Sequence, residues 1–378
     1  MSFRRLWAIA RKESIHIIRD PRSLGMGIAI PLLLLLLFGY ALTLDVDNVP
    51  LVVWDQSNTP LSRELIRRFA ASPYFSLKRS LGSYGEIERS IDDGTALMAI
   101  VLPVDLAGRI EAGRPATVQA IVDGSDANTA QIAIGYAEAI TRTYSLQIAL
   151  QKASRTAGST QQLPVDLRPR VWFNPDMESR NYIVPGLIAV IMMVIAALMT
   201  SLTVAREWES GTMEQLISTP VRGPELIAGK LMPYFAIGMI DVLLSVLLGE
   251  YLFRVPLRGN VAILFVTAAV FLVGALSLGM LISIVTKSQL VATQLAMVLT
   301  FLPSFLLSGF MYDIGNMPRA VQVITYVVPA RYFVGILKGI YLKGVGPAVL
   351  GMEAALLAVF GTAVVLLANL KFRKKLEA

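Results

Sequence analysis

Six windows of mainly apolar residues recur along the chain, at about Leu24 to Leu44, Tyr182 to Val204, Leu231 to Leu252, Val261 to Val285, Leu290 to Met311 and Ala348 to Leu370. A helical crossing of the hydrocarbon core takes roughly 20 such residues, so each window is long enough to span a bilayer. Inside lipid the backbone must satisfy its own hydrogen bonds, and helices do so within a single segment. The sequence therefore predicts an α-helical polytopic membrane protein with six transmembrane helices. Composition agrees: 55% of residues are hydrophobic and 16% charged, and mean hydropathy is +0.61, beyond the range of a soluble domain.

The same composition excludes several chemistries. There is no cysteine and one histidine, so a disulfide framework, a thiolate zinc site and an imidazole cluster are all out of reach, and no metal site is expected. The net charge of +7 lacks the basic-plus-aromatic pattern of a nucleic-acid binder, and is read as topological. Arg4, Arg5, Arg11, Lys12, Arg19 and Arg22 precede the first window, and Lys371, Arg373, Lys374 and Lys375 follow the last. Both termini are expected in the cytoplasm, as an even number of spans requires. The first window continues too far for a cleaved signal peptide, and no small-residue cleavage site follows it.

These expectations divide the chain into a cytoplasmic interface helix over 1–23, spans over 24–44, 181–204, 231–252, 261–285, 290–311 and 348–370, and a cytoplasmic tail over 371–378. Between the first two spans, residues 45–180 alternate short apolar runs (Val49 to Trp54, Thr95 to Pro103, Ala116 to Asp123) with amphipathic helices marked by Leu61, Leu65 and Phe69 and by Ile87 and Ile91. That alternation predicts an inserted extracytoplasmic α/β domain, closed by a helix from about Ala127 to Lys152. Gly158 to Gln162 reads as a flexible connection, and Val171 to Pro175 as the return to the membrane. Residues 312–347 are too apolar for a solvated loop and too interrupted by Pro318 and Pro329 for a clean span, so they read as a re-entrant helical segment before helix 6.

In the N-terminal segment Phe3, Leu6, Trp7, Ala10 and Ile17 recur at helical spacing among basic residues that include Arg11. Two readings stand open: an amphipathic helix in contact with membrane lipid, or an ordinary juxtamembrane anchor. His16 is read as a spectator.

Three places could carry chemistry. Gly223 to Lys230, GPELIAGK, approaches a phosphate loop, but five residues separate the glycines and Leu231 stands where a magnesium-binding hydroxyl belongs. No nucleotide site is expected there; the segment reads as a turn at Gly223 and Pro224 leading into the third span, with Lys230 at the interface. Asp241 lies near the middle of the third span, where a carboxylate is expensive. It is a candidate proton or cation site, or a polar contact between spans. The third place is the polar loop over 205–230, where Glu207, Glu209 and Glu214 share a helix, running to about Ile217, with Trp208, Met213, Leu216 and Ile217. As a solvated connector it would have no use for that apolar face.

The run REWESGTMEQLISTPV at Arg206 to Val221, followed by KLMPY at Lys230 to Tyr234, resembles the signature region of the type-2 ATP-binding-cassette permeases. Arg11 to Leu24, the large domain after span one, Leu302 to Pro318 and Val327 to Phe333 sit where that family has them, so the resemblance covers nearly the whole chain. It looks like the branch with a large extracytoplasmic domain, associated with export of drugs and other amphiphiles. The resemblance implies a permease subunit with no enzyme activity or cofactor of its own. It would pair with a second permease copy or a paralogue and with two ATP-binding subunits, which carry ATP and magnesium. It further implies a coupling helix at Arg206 to Thr219 that contacts the ATP-binding subunit through Arg206, Glu207, Glu209, Met213, Glu214 and Leu216. Phe3, Leu6, Trp7 and Arg11 would lie on the interface helix beside it. Pro318, Pro329, Arg331, Tyr332 and Phe333 would form an outer gate to a pathway lined by spans two and five. A periplasmic adaptor and an outer-membrane channel follow by analogy alone.

Other classes stay open at this point. An ion-coupled secondary transporter would use Asp241 and need no ATPase, and a membrane receptor would use the outer domain as a sensor. An intramembrane enzyme lacks a nucleophile motif or carboxylate pair inside the spans. Small-residue spacings at Ala275 with Gly279 and at Gly335 with Gly339 permit close helix approach, although such pairs are common by chance.

Overall fold

The computed structural model describes residues 2–42, 48–157, 173–174 and 178–372. The chain divides into two compact units, one formed by residues 1–43 with 170–378 and the other by residues 44–169.

The first unit begins with α1 (Phe3–Arg19). Asp20 then adopts an extended backbone, as a residue preceding proline prefers, and the chain restarts as α2 (Pro21–Leu24), a π-helical turn (Gly25–Ala29) and α3 (Ile30–Ala41). The apolar helix from Gly25 to Ala41 is shorter than the full crossing expected over 24–44. Residues 43 and 44 of that window lie outside the described residues.

The second unit runs β1 (Val49–Asp55), α4 (Pro60–Ala71), β2 (Phe75–Ser80), α5 (Tyr84–Asp92), β3 (Met98–Leu102), α6 (Leu106–Glu111), β4 (Gln119–Val122) and α7 (Ala127–Ala157). Its four-stranded sheet has the order β2-β1-β3-β4. β1 is parallel to both neighbours, and β4 is antiparallel to β3. Alternation along the strands sends Leu51, Val53, Met98 and Ile100 to one face, under Leu65 and Phe69 of α4 and Ala133 and Tyr144 of α7. Val52, Ala99 and Val101 face the other way, against Ile87 of α5. Thr59 starts α4 by a reciprocal capping box with Ser62, and Pro60 presets the first turn. Strands β1, β3 and β4 and helices α4, α5 and α7 fall in the runs the alternation marked, whereas α6 was not among them. β2 gave no signal because Phe75 is its one buried residue. The connection at 158–162 lies outside the described residues, as do all but Phe173 and Asn174 of the return at 171–175.

The first unit resumes with α8 (Ser179–Glu209), α9 (Thr212–Ser218), α10 (Gly223–Leu247, continued by a π turn at Leu248–Leu252), α11 (Val261–Thr286) and α12 (Gln289–Leu306). After a short 3-10 turn (Ile314–Asn316) come α13 (Arg319–Thr325), α14 (Pro329–Lys338, continued by a π turn at Gly339–Lys343) and α15 (Pro347–Lys371). Among the described residues five helices are long and apolar enough to cross a membrane, or six if α13 and α14, bent by 86°, are one broken span. The protein is a mostly helical, multi-pass membrane protein. The fifth span, expected over 290–311, ends as a helix at Leu306, and the chain turns through Gly309 at φ +77°.

α8 is the hub of this bundle. Within its most apolar stretch 89% is buried, against 22% for α12 and for α15. A helix so enclosed by its own chain does not present its length to a second copy, so the expectation that span two lines a pathway between copies is revised. α12 holds on by the narrow stripe Ala292, Ala296, Thr300 and Ser304, and leaves most of its circumference open.

Candidate functional site

The polar segment over 205–230 is mostly helix, and it is not one helix. α8 carries Arg206, Glu207 and Glu209 in its last turn. Gly211, at φ +71°, then breaks the chain in a left-handed conformation that suits glycine, and α9 begins at Thr212. The single coupling helix expected over Arg206 to Thr219 is therefore split at this glycine. The segment Gly223 to Lys230 forms the first two turns of α10 and not a loop.

α1 lies across α10 at Gly229, where a Cβ would stand 2.9 Å from the Cβ of Ile9 and 3.0 Å from the carbonyl oxygen of Leu6. Its first residues are tied to the α9–α10 connection. The Ser2 amide donates to Glu225 Oε1 (2.7 Å), the Arg222 amide donates to Glu225 Oε2 (3.0 Å), and Arg5 donates to the Pro220 carbonyl (2.6 Å).

Below this crossing sits a buried ionic cluster. Lys230, 2% exposed, places Nζ 3.0 Å from Glu207 Oε2 and 3.4 Å from Glu13 Oε2. The contact to Glu207 is a charge contact without hydrogen-bond geometry, while the one to Glu13 is a hydrogen bond. Lys12 donates to Glu207 Oε1 (3.0 Å), and the Tyr234 hydroxyl donates to Glu13 Oε1 (2.9 Å). Arg206 contacts His16 Nε2 at 2.5 Å and approaches Asp20 at 3.9 Å. These groups and the apolar side chains of Met26, Met199 and Leu202 enclose a cavity of about 340 Å³. Burying two carboxylates and an ammonium is tolerable when each keeps a charged or hydrogen-bonded partner, which is the arrangement here. Chemically the cluster is a clamp: it fixes α1, α8 and α10 to one another.

The expected coupling residues separate into two sets. Glu207 faces the cluster, and Met213 is fully buried with Ile9, Leu226, Ile227 and Met280, with Leu216 half-buried beside them. Glu209 accepts from the Gln289 amide (2.7 Å) and side chain (2.5 Å) and so caps α12. Glu214 and Gln215 remain exposed on α9. On α1, Phe3 and Trp7 point outward, Arg11 is exposed and Leu6 is half-buried, whereas Ile9, Ala10, Glu13 and Ile17 are the buried face. Lys230 is buried within the protein, and His16, taken for a spectator, lines the cavity. The signal that could have found the clamp is the apolar setting of Glu13 and Lys230 at helical spacing, since a charge placed on a buried face calls for a partner.

Asp241 is buried in α10, and its Oδ1 has no hydrogen-bond partner among the described residues. At the other end of the bundle Pro318 caps α13 and Pro329 opens α14. The Arg331 guanidinium lies 3.9 Å from the Tyr326 ring centroid, and the Tyr332 hydroxyl donates to the Tyr326 carbonyl (2.7 Å). Phe333 is fully buried and stacks on Phe271 at 4.2 Å, so it belongs to the core and does not line an outer gate. No group of acidic, histidine or cysteine residues among the described residues is placed to hold a metal ion.

Residues 21–370 match the family model described as ABC-2 family transporter protein. The chain is 38% identical over 378 residues, covering 100% of this chain and 99% of its relative, to the probable multidrug ABC transporter permease YbhS of Escherichia coli (strain K12). It is 32% identical over 341 residues, 90% of each chain, to the probable multidrug ABC transporter permease YbhR of the same strain. Over 360 residues, 90% of this chain and 92% of its relative, it is 23% identical to the linearmycin resistance permease protein LnrN of Bacillus subtilis (strain 168).

Proposed function

Because the chain belongs to the ABC-2 family of transporter proteins, we propose that it is the membrane half of an ATP-driven exporter of drug-like or amphiphilic compounds. Two copies, or this chain and a paralogue, would pair, and two separate ATP-binding subunits would bind ATP and magnesium. The relatives named as multidrug permeases support that substrate class. The terminal basic residues favour both termini in the cytoplasm of an inner-membrane protein. That orientation would put unit 44–169 outside, where an adaptor and an outer-membrane channel could meet it.

The observation that carries the coupling role is the placement of α9. Its exposed Glu214 and Gln215 stand beside Met213, which is anchored in the core, and α9 follows the last turn of α8 at once. An ATP-binding subunit docked on α9 would push on α8 directly. Because the Lys230 cluster fixes α1 and α10 to α8, the three would move as one body, and α8 would pass the motion to α11, α12 and α14, which pack around it. Glu207 and Met213 would serve inside this body and not at its surface.

Reversing the surface charge tests the docking surface. Glu214→Arg with Gln215→Arg is expected to weaken recovery of the ATP-binding subunit from native membranes by about 30-fold, the scale of one interface hot spot of about 2 kcal/mol. The permease itself should fold and elute unchanged. Undiminished recovery of the ATPase with this double variant would remove α9 from the docking surface.

A further inference from the structure

A second cavity, of about 500 Å³, lies at the opposite end of α8 from the clamp, between the start of α8, the turn after α12, α14 and the first turns of α15. Four charged side chains line it, and no salt bridge joins them, although the Asp313 carboxylate is near enough to Lys338 to favour its charge. Lys338 donates to the Gly309 carbonyl (2.8 Å) and lies 3.4 Å from the Tyr182 ring centroid, which are both neutral partners. Arg331 bonds Thr325 and stacks on Tyr326. Asp313 accepts from the Gly315 amide (2.8 Å), and Glu353 Oε2 is buried with no hydrogen-bond partner. None of the four makes an ion pair with an opposite charge among the described residues.

Asp313 is exposed at the cavity mouth, but a buried carboxylate oxygen without a partner, as at Glu353, is expensive in a membrane bundle, and by default such a group is there for a ligand or a pathway. Two cations and two carboxylates around one cavity would repel a purely anionic or purely cationic guest. They complement a zwitterion. The tyrosine rings already hold the cations in place by cation–π contact, so little ordering remains to be done on binding. The volume suits a headgroup and falls within the range of small-molecule sites. The rim points the same way: Met352 lines the cavity, is 72% exposed, and continues along α15 into the exposed apolar side chains Val349 and Val359.

We propose that this cavity binds the headgroup of a zwitterionic aminophosphate amphiphile, with its phosphate on Lys338 and Arg331, its ammonium on Glu353 and Asp313, and its chains along α15. The contacts are charge-assisted hydrogen bonds on both halves of the headgroup. Discrimination therefore depends on the carboxylates as much as on the cations. The same headgroup chemistry could arrive on a bilayer phospholipid or on a transported amphiphile, and the site stands apart from the ATP-coupling reading.

The test is native mass spectrometry of the full chain, purified in detergent, stripped of lipid and titrated with palmitoyl-oleoyl phosphatidylethanolamine or phosphatidylglycerol. Retention of phosphatidylethanolamine should exceed that of phosphatidylglycerol by about tenfold, the worth of one charge-assisted contact. Glu353→Gln, which breaks no hydrogen bond or ion pair within the protein and should fold normally, is expected to bring the two lipids to parity. Lys338→Gln should lose both. Displacement of the bound lipid by soluble phosphoethanolamine would identify the headgroup as sufficient, as for a transported solute, and resistance to it would identify an anchored phospholipid. Equal retention of the two lipids by the unmodified chain, or a preference unchanged in Glu353→Gln, would overturn the proposal.

Discussion

Lys230→Met is expected to lower the stability of the protein by about 3–5 kcal/mol, because removing one partner of a buried ionic cluster leaves the others charged and unpaired. Two carboxylates depend on this lysine. Glu207 keeps Lys12, which is largely exposed, and Glu13 keeps only the Tyr234 hydroxyl. Methionine fills a similar volume, so the loss comes from charge and not from a void. The loss should be recoverable. Adding Glu13→Gln and Glu207→Gln to Lys230→Met removes the stranded charges, and thermal unfolding in detergent should return most of the way to the parent, as buried ion triads replaced as a set often do. If the single variant unfolds at the parent temperature, the cluster is not the clamp described here. If the triple variant is as unstable as the single one, packing rather than charge holds α1 in place.

This cluster also shows how far a sequence carries an argument of this kind. Five of the six expected spans and the strands β1, β3 and β4 follow from hydropathy and alternation, which are local properties of the chain; the first window gave only the shorter apolar helix over Gly25–Ala41. The clamp joins residues 13, 207 and 230, on three separate helices, and no window shows that they meet. Glu207 and Glu214 are seven residues apart and read alike, yet one is sealed inside and the other exposed. The difference arises at Gly211, where the left-handed turn rotates α9 away from the axis of α8. On α1 the periodicity was legible, but two apolar faces were present. Nothing local says that Ile9 and Ile17 face protein while Phe3 and Trp7 face outward. The same holds for the arginine, lysine and two carboxylates around the second cavity, which come from α14, from the turn after α12 and from α15.

The small-residue pairs separate in the same way, and they give the second large effect. Gly279→Ala is expected to destabilise the bundle by about 3 kcal/mol, the upper part of the range for overpacking, and Gly279→Val by more. At Gly279 a Cβ would fall 2.2 Å from the Ala197 carbonyl oxygen and 2.2 Å from Thr200 Oγ1. The obstacle is largely backbone, so the two helices must move apart. That separation would break the Thr200 hydroxyl's hydrogen bond to the Leu276 carbonyl (2.8 Å) and pull Ser283 from the Val204 and Ala205 amides (3.0 and 2.9 Å). These bonds join α11 to the hub helix, so the damage spreads to everything packed on α8. Gly335→Ala is the control: nothing lies within 4 Å of its Cβ, and an alanine in an open helical position should gain about 0.5–1 kcal/mol from reduced backbone freedom in the unfolded chain. Both substitutions add one methyl group to a helix, and a sequence reading ranks them equal. Thermal unfolding of the two variants side by side should move them in opposite directions; equal shifts would mean that α8 and α11 are not in the close approach that Gly279 permits.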